Sequence, residues 1–163
     1  MKTLKKMLES KTTIRFTDCD PFNHLNNSKY IDYFFNMRED QLLIEYDFDL
    51  QKITRERGLA WVVAQNQIAY FAPANLMETV TIQTHLLLCE DKSLLLEAMM
   101  WNEDKTILKS VLWSRLVHFN LKTKRSQVHD TDLIDLFKQI EDPLNALLSF
   151  DERLTQLRQL AVV

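Results

Sequence analysis

The spacing of hydrophobic residues changes its period twice along this chain. Residues 12–17 alternate, with Ile14 and Phe16 on one side and Arg15 on the other, which predicts a strand. A polar, proline-containing turn follows at Asp18-Cys19-Asp20-Pro21-Phe22-Asn23-His24. Asn26, Asn27 and Ser28, all good helix N-caps, come next. From Ser28 to Ile44 the period is helical. On a wheel at about 100° per residue, Tyr30, Ile31, Tyr33, Phe34, Phe35 and Met37 cover an arc of roughly 200°. A surface helix shows an apolar face nearer about 100°, so this one is expected to be largely enveloped. Arg38 falls inside the apolar arc, where it must either snorkel or be paired.

After Gly58 the period drops to two. Residues 59–71, 79–89, 93–101 and 107–121 read as four strands, the last two separated by the turn Asn102-Glu103-Asp104-Lys105. Strands joined by short polar turns predict an antiparallel meander. One strand, one buried helix and a meander make an α+β layout in which a curved sheet wraps the helix. The tail turns helical again. Asp130 or Thr131 caps a segment through Ile140, Pro143 interrupts, and Leu147, Phe150, Leu154, Leu157 and Ala161 recur at three and four. That stripe is expected to pack on the sheet or on a partner subunit. The division is therefore one domain over 1–125 with a C-terminal helical extension over 126–163.

Composition narrows the function. With one glycine in 163 residues, the chain cannot build a P-loop, a GxGxxG dinucleotide turn or a nucleophile elbow, each of which needs several. Twenty basic against twenty-three acidic residues leave a net charge of −3, which disfavours a nucleic-acid binder. No apolar run follows Lys2, Lys5 and Lys6, and none approaches the roughly 20 residues of a membrane span. Cys19 and Cys89 form no CxxC and no disulfide framework. These features predict a cytoplasmic protein with no membrane or nucleic-acid partner.

The turn before the helix gathers the groups that could do chemistry: Asp18, Asp20, His24, Asn26 and Asn27. A helix N-terminus offers free N–H groups and a positive dipole end to a developing oxyanion. A carboxylate beside it suits a general base or nucleophile, and a histidine one turn away can orient a carbonyl. The grouping fits acyl transfer or hydrolysis. A plain turn, with Asn26 or Asn27 as cap and His24 as a loop residue, accounts for the same letters. His85 and Cys89 share a strand face on simple alternation but lack further ligands, so no metal site is expected.

The run from Asp18 to Tyr30 resembles the D-x-D-x-x-G-H-V-N-N-x-x-Y signature of hotdog-fold thioesterases, the 4-hydroxybenzoyl-CoA and acyl-CoA thioesterase group, with acyl-ACP thioesterases as relatives. A second stretch, Gly58, then Val62-Val63, then Tyr70-Phe71-Ala72-Pro73-Ala74 and Glu78, is similar to that family's strand ending in Y-x-x-P-A before an acidic turn. The resemblance covers about 12 to 121 in matching order. It implies a hotdog fold, a sheet around the central helix, working as a homodimer or homotetramer without cofactor or metal. It implies hydrolysis of an acyl thioester, acyl-CoA or acyl-carrier protein. Asp20 takes the place of the catalytic carboxylate, the backbone N–H near Asn27 that of the carbonyl-polarising group, and His24 that of the orienting histidine. Asn26, Tyr30 and Phe34 are the expected substrate-binding residues, although the aromatics serve equally as core.

The chain departs from the pattern at Asn23, where the family has glycine; asparagine is among the side chains that best tolerate the left-handed region. Lys122, Lys124 and Arg125 form a short basic turn that could meet coenzyme A phosphates or simply be solvated. Two other readings stand beside hydrolysis. One is a hotdog protein that binds acyl-CoA or an acyl carrier without turnover. The other is an enoyl-CoA hydratase with a D-x-N-P-x-H pattern; here the acid and histidine stand at 20 and 24 and the Asn-Pro pair is absent.

Overall fold

The long alternating stretches after Gly58 pair as one antiparallel sheet in a computed structural model that describes residues 3–161. In chain order the elements are β1 (Leu8–Thr13), α1 (Tyr30–Tyr46), α2 (Leu50–Arg57), β2 (Leu59–Tyr70), β3 (Thr79–Cys89), β4 (Ser93–Asn102), β5 (Leu108–Asn120), β6 (Arg125–Ser126), α3 (Thr131–Ile140) and α4 (Phe150–Leu160). The sheet order is β1-β3-β4-β5-β2, with β6 added on β5. The meander is thus β3-β4-β5 only. β2 was expected beside β3 but pairs with β5, from Leu59 opposite Asn120 to Tyr70 opposite Ser110. β1 takes the place next to β3, Leu8 opposite Thr84. The segment between β2 and β3 explains the crossing. It bonds to residues 14–25 rather than closing a hairpin, through Leu25 N–H to Ala74 O (2.8 Å) and Ile14 N–H to Glu78 O (2.9 Å).

Both faces of the sheet are covered over β3 and β4, which are buried along nearly their whole length, polar Thr81, Thr84 and His85 included. α1 lies on one face, where Tyr30 and Phe34 pack with Ile14, Val80, Ile82, Ala98, Met100 and Leu112. Further along that face, Leu42 meets Phe48, Leu86, Leu94 and the α3 residues Leu133, Phe137 and Ile140. α4 covers the opposite face, with Phe150, Leu154 and Leu157 against Leu87, Met99, Val111 and Trp113. Each of those three buried side chains contributes about 1.5–3 kcal/mol. Ser149 caps α4 by a reciprocal capping box with Glu152. Leu147, assigned to the same stripe, stands in solvent ahead of the helix.

Several expectations change. The first strand is Leu8–Thr13, not 12–17. Ile14 is buried, but Phe16 is 75% exposed. Phe16–Asp18 is a 3-10 turn, because the Tyr33 hydroxyl accepts from Arg15 N–H (3.1 Å) and donates to Asp18 (2.7 Å). The central helix is not enveloped within one chain. Its buried stripe is Tyr30, Phe34, Arg38, Gln41 and Leu42, and Leu43 and Ile44 face out. Arg38 does not snorkel, and it pairs with no acid among the described residues. It is buried and donates to Thr84 Oγ1 at 3.0 Å. α2 escapes the sequence pattern because only Leu50 and Ile53 are apolar. Asp49 caps its start, accepting from Lys52 N–H at 2.9 Å, and Gly58, at φ +66°, ends it.

His85 and Cys89 do not share a face. A bulge between Leu86 and Leu88 shifts the register, so Cys89 lies with Leu86 on the α1 side and His85 lies under α4. There His85 bridges Glu97 (2.8 Å) and Asp142 (2.9 Å).

Candidate active site

The turn that the sequence singled out folds around the backbone of Asp20. Its N–H donates to His24 O (2.8 Å), and its carbonyl accepts from Asn23 N–H (3.0 Å). Its Oδ1 accepts from Phe22 N–H (2.9 Å) and His24 N–H (3.2 Å). Asn23 sits at φ 59°, the left-handed conformation required where the family has glycine, so the turn closes despite the substitution. One carboxylate oxygen of Asp20 therefore fixes the loop, while Oδ2 has no hydrogen-bond partner among the described residues.

The chain then enters α1 through a 3-10 turn at Asn27–Lys29. Asn26 is its cap, with Oδ1 accepting from Ser28 N–H (3.0 Å) and Ser28 Oγ (2.8 Å). The Asn27 N–H makes no hydrogen bond among the described residues, as expected for the first donor of a helix start. The Asn27 carbonyl accepts from the Tyr70 hydroxyl at 3.0 Å. Tyr70 also packs edge-on against Tyr30, with ring centroids 5.1 Å apart. The Tyr30 hydroxyl accepts from Ala74 N–H at 3.2 Å, and burial pushes its pKa up, so it stays protonated.

Asp20, His24, Asn27 and Tyr30 together line an open cavity of about 260 Å³, with Tyr70, Phe71 and Pro73 on its other side. Four of the six sequence-derived residues thus meet in one place. Asn26 does not line it, because its side chain is engaged as the cap. Phe34 does not either; it is fully buried in the core between α1 and the sheet. Tyr70 and Phe71 were missing from the expected site, although the Y-x-x-P-A stretch that carries them was a usable signal.

The wall formed by residues 71–78 is anchored from behind. Lys109 is buried and contacts Glu78 Oε1 (2.8 Å) and Pro73 O (2.8 Å), and Glu78 Oε2 accepts from Asn75 N–H (2.7 Å). Among the described residues no three His, Cys, Asp or Glu side chains gather to hold a metal ion. The basic turn Lys122-Thr123-Lys124-Arg125 follows the end of β5 that pairs with Leu59, whereas the cavity lies at the Tyr70 end. Within one chain they are a whole strand apart, on the order of 35 Å at about 3.3 Å per residue.

An unpaired helix-start N–H, a carboxylate and a histidine around one small cavity are groups that can polarise a carbonyl and activate a nucleophile. The thioesterase-like superfamily model matches residues 14–148, and the chain belongs to that superfamily. No curated protein matches the sequence. Among solved structures, the YbaW probable thioesterase from Escherichia coli is similar with a TM-score of 0.70 at 23% identity, over 82% of this chain and 98% of that one. The protein SAV2348 from Staphylococcus aureus, in complex with CoA, gives 0.73 at 15%, over 90% and 92%. Slr0204, a 1,4-dihydroxy-2-naphthoyl-CoA thioesterase from Synechocystis, gives 0.74 at 12%, over 84% and 99%. The fold is accordingly the α+β hotdog fold, an antiparallel sheet against a long helix. No helix among the described residues is long and apolar enough to cross a membrane.

Proposed function

We propose that the protein hydrolyses an acyl thioester, with acyl-CoA as the thiol ester and Asp20 as the catalytic carboxylate. The observation that carries this reading is the joint lining of one cavity by Asp20, His24 and the Asn27 helix start. The thioester carbonyl oxygen would accept from the Asn27 N–H, where the helix dipole favours developing negative charge. Asp20 Oδ2 would either take a proton from the attacking water or attack the carbonyl carbon itself. In both cases the C–S bond breaks, the thiol departs with a proton, and water supplies the oxygen of the acid. His24 would orient the substrate or the water. Tyr70, holding the Asn27 carbonyl, is a positioning residue. No cofactor enters this scheme.

Homo-oligomerisation belongs to the same reading. β2 is an edge strand, and residues 62–67 along it are exposed. A second copy added antiparallel there would satisfy its free backbone groups. It would also set the partner's Leu59 end, and with it the partner's basic turn, beside the Tyr70 end of this chain, within reach of the phosphates of a bound CoA. The SAV2348 complex with CoA supports a CoA ester over other thioesters. Residues 126–163 would be an extension of the single domain, and the free Cys19 and Cys89 suit the cytoplasm.

The second reading, a binder of acyl-CoA or acyl carrier without turnover, is favoured by the engagement of Asp20 Oδ1 in the loop. Thiol release from short, long and aromatic acyl-CoAs separates the two. Enzyme-only blanks correct for the two cysteines. Turnover on one class supports hydrolysis, and binding without thiol release on every member refutes it. Loss of conjugated absorbance from enoyl-CoA without thiol release would point to a hydratase instead.

A further inference from the structure

A second cavity, of about 310 Å³, lies on the same sheet face but far from Asp20, between α1, α2, α3 and the strands. Phe35, Leu42, Phe48, Trp61, Leu94 and Phe137 line it, and Glu39 and Gln51, hydrogen-bonded at 3.3 Å, bridge α1 to α2 at its edge. Into this apolar lining the chain places Arg38. Its residue exposure is 8%, its hydrogen bond goes to the neutral Thr84 hydroxyl (3.0 Å), and it forms no ion pair among the described residues. A guanidinium has five N–H donors, so most remain free for a ligand. Burial lowers its pKa to about 10, with Tyr46 acting the other way, so the group is still a cation at neutral pH.

An uncompensated buried charge is costly, and a guanidinium in such a place matches a carboxylate in both charge and planar geometry. We propose that this cavity binds a compact apolar molecule ending in a carboxylate, with Arg38 as its counter-charge. At the roughly 30 Å³ of a water molecule per non-hydrogen atom, the space holds about ten such atoms. The aromatic and leucine walls take the apolar body, and the forked guanidinium selects a carboxylate over an alcohol.

Two sources share this chemistry. One is a free carboxylic acid. The other is the far end of an acyl group whose thioester sits at an Asp20 site, and that alternative rests on the hydrolase reading above. Arg38 comes eleven residues after Asn27 (38 − 27), about 16 Å along α1 and the turn that leads into it. A ten-atom acid cannot span that distance, so a free acid would occupy this cavity alone, whereas the acyl-end source needs a longer chain or the Asp20 site of a second copy.

Titration calorimetry with octanoate and octanol tests the site without requiring turnover. Octanoate is expected to bind the unaltered protein at least tenfold tighter than octanol, and Arg38→Met to abolish that preference while leaving octanol binding in place. Should Arg38→Met fail to fold, the octanoate-to-octanol ratio of the unaltered protein still decides, and Arg38→Lys should shrink the ratio by removing the planar fork. Equal binding of the two probes, or octanoate binding indifferent to both substitutions, overturns the proposal. The source is read separately, by comparing kcat/KM for CoA thioesters of straight-chain monocarboxylic and dicarboxylic acids of eight to sixteen carbons. A dicarboxylate preference that Arg38→Met removes assigns the acyl end. Octanoate binding without it assigns a free acid, and octanoate binding with no hydrolysis of any ester leaves this site standing while the hydrolase reading falls.

Discussion

Replacing Arg153 with methionine should unfasten α4. Glu97 lies on β4 with no exposed surface, and its two oxygens accept from Arg153 Nε (2.8 Å), Arg153 Nη2 (2.6 Å), Trp113 Nε1 (2.7 Å) and His85 Nε2 (2.8 Å). Arg153→Met removes two of those four bonds and the fixed positive charge, while keeping about the bulk of the aliphatic stem. Breaking one partner out of a buried pair costs about 3–5 kcal/mol, a large part of the ~5–15 kcal/mol that holds a domain. The acid side of the pH profile points the same way. Burial pushes the Glu97 pKa up, but hydrogen bonds from Arg153 and His85 more than offset it and hold it at about 2, against 4.5 for a free glutamate. Because the folded value is depressed, the stabilisation is present above pH 4.5 and is lost as pH falls from there towards 2. At ~1.36 kcal/mol per pKa unit it comes to about 3 kcal/mol. In urea at pH 7, with a slope near ~2 kcal/mol per molar, the midpoint should drop by ~1.5–2.5 M. The stability lost between pH 4.5 and 2 should shrink with it. Adding Glu97→Gln to Arg153→Met should recover part of the loss by removing the stranded charge. A midpoint shift below ~0.5 M, as for an exposed ion pair, would refute the reasoning.

Three further outcomes follow from the packing. Burial foremost, and His118 stacked 4.7 Å away, lower the pKa of His129 below 6.5, so it contributes stability above that pH and loses it as pH falls towards the folded value. His129→Gln should flatten the melting-temperature profile below pH 6.5, and an unchanged slope would contradict this. Lys109→Met strands Glu78 and frees Pro73 O, so it should cost about 3 kcal/mol and speed amide exchange at Leu25, whose N–H bonds to Ala74. Protected exchange at Leu25 would show that the wall needs no anchor. Asn23→Val should cost on the order of 2 kcal/mol, because a β-branched residue resists φ 59°, whereas Asn23→Gly should stay within about 1 kcal/mol. Equal melting temperatures for the two variants would contradict a left-handed requirement there.

Local chemistry made much of the site readable in advance. Residues 18 to 30 form a turn and cap whose bonds run mostly between neighbours, so Asp20, His24 and Asn27 came together as their spacing suggested. The β3-β4-β5 meander was legible for the same reason, as its turns are short. Pairing of β2 with β5 depends on bonds made by the 71–78 segment to residues 14–25, a long-range choice without a local mark. A single-residue bulge was enough to separate His85 from Cys89. The Glu97 network draws on β3, β4, β5 and α4, with Arg153 contributed 56 residues further along the chain (153 − 97), beyond the reach of any spacing argument. Arg38 read as an anomaly of the helix wheel. Only the structure shows that its partner is a hydroxyl beside a cavity.

The central claim is that Asp20 carries out thioester hydrolysis, and steady-state thiol release by Asp20→Asn against the unaltered protein, on its best acyl-CoA substrate, tests it most directly. Asparagine keeps the Oδ1 acceptor for Phe22 and His24 N–H, so the loop and the melting temperature should hold. Removing a positioned base or nucleophile should lower kcat by ~10²–10⁴. Turnover within about threefold of the unaltered protein, at an unchanged melting temperature, would contradict the account and return Asp20 to the role of a turn residue.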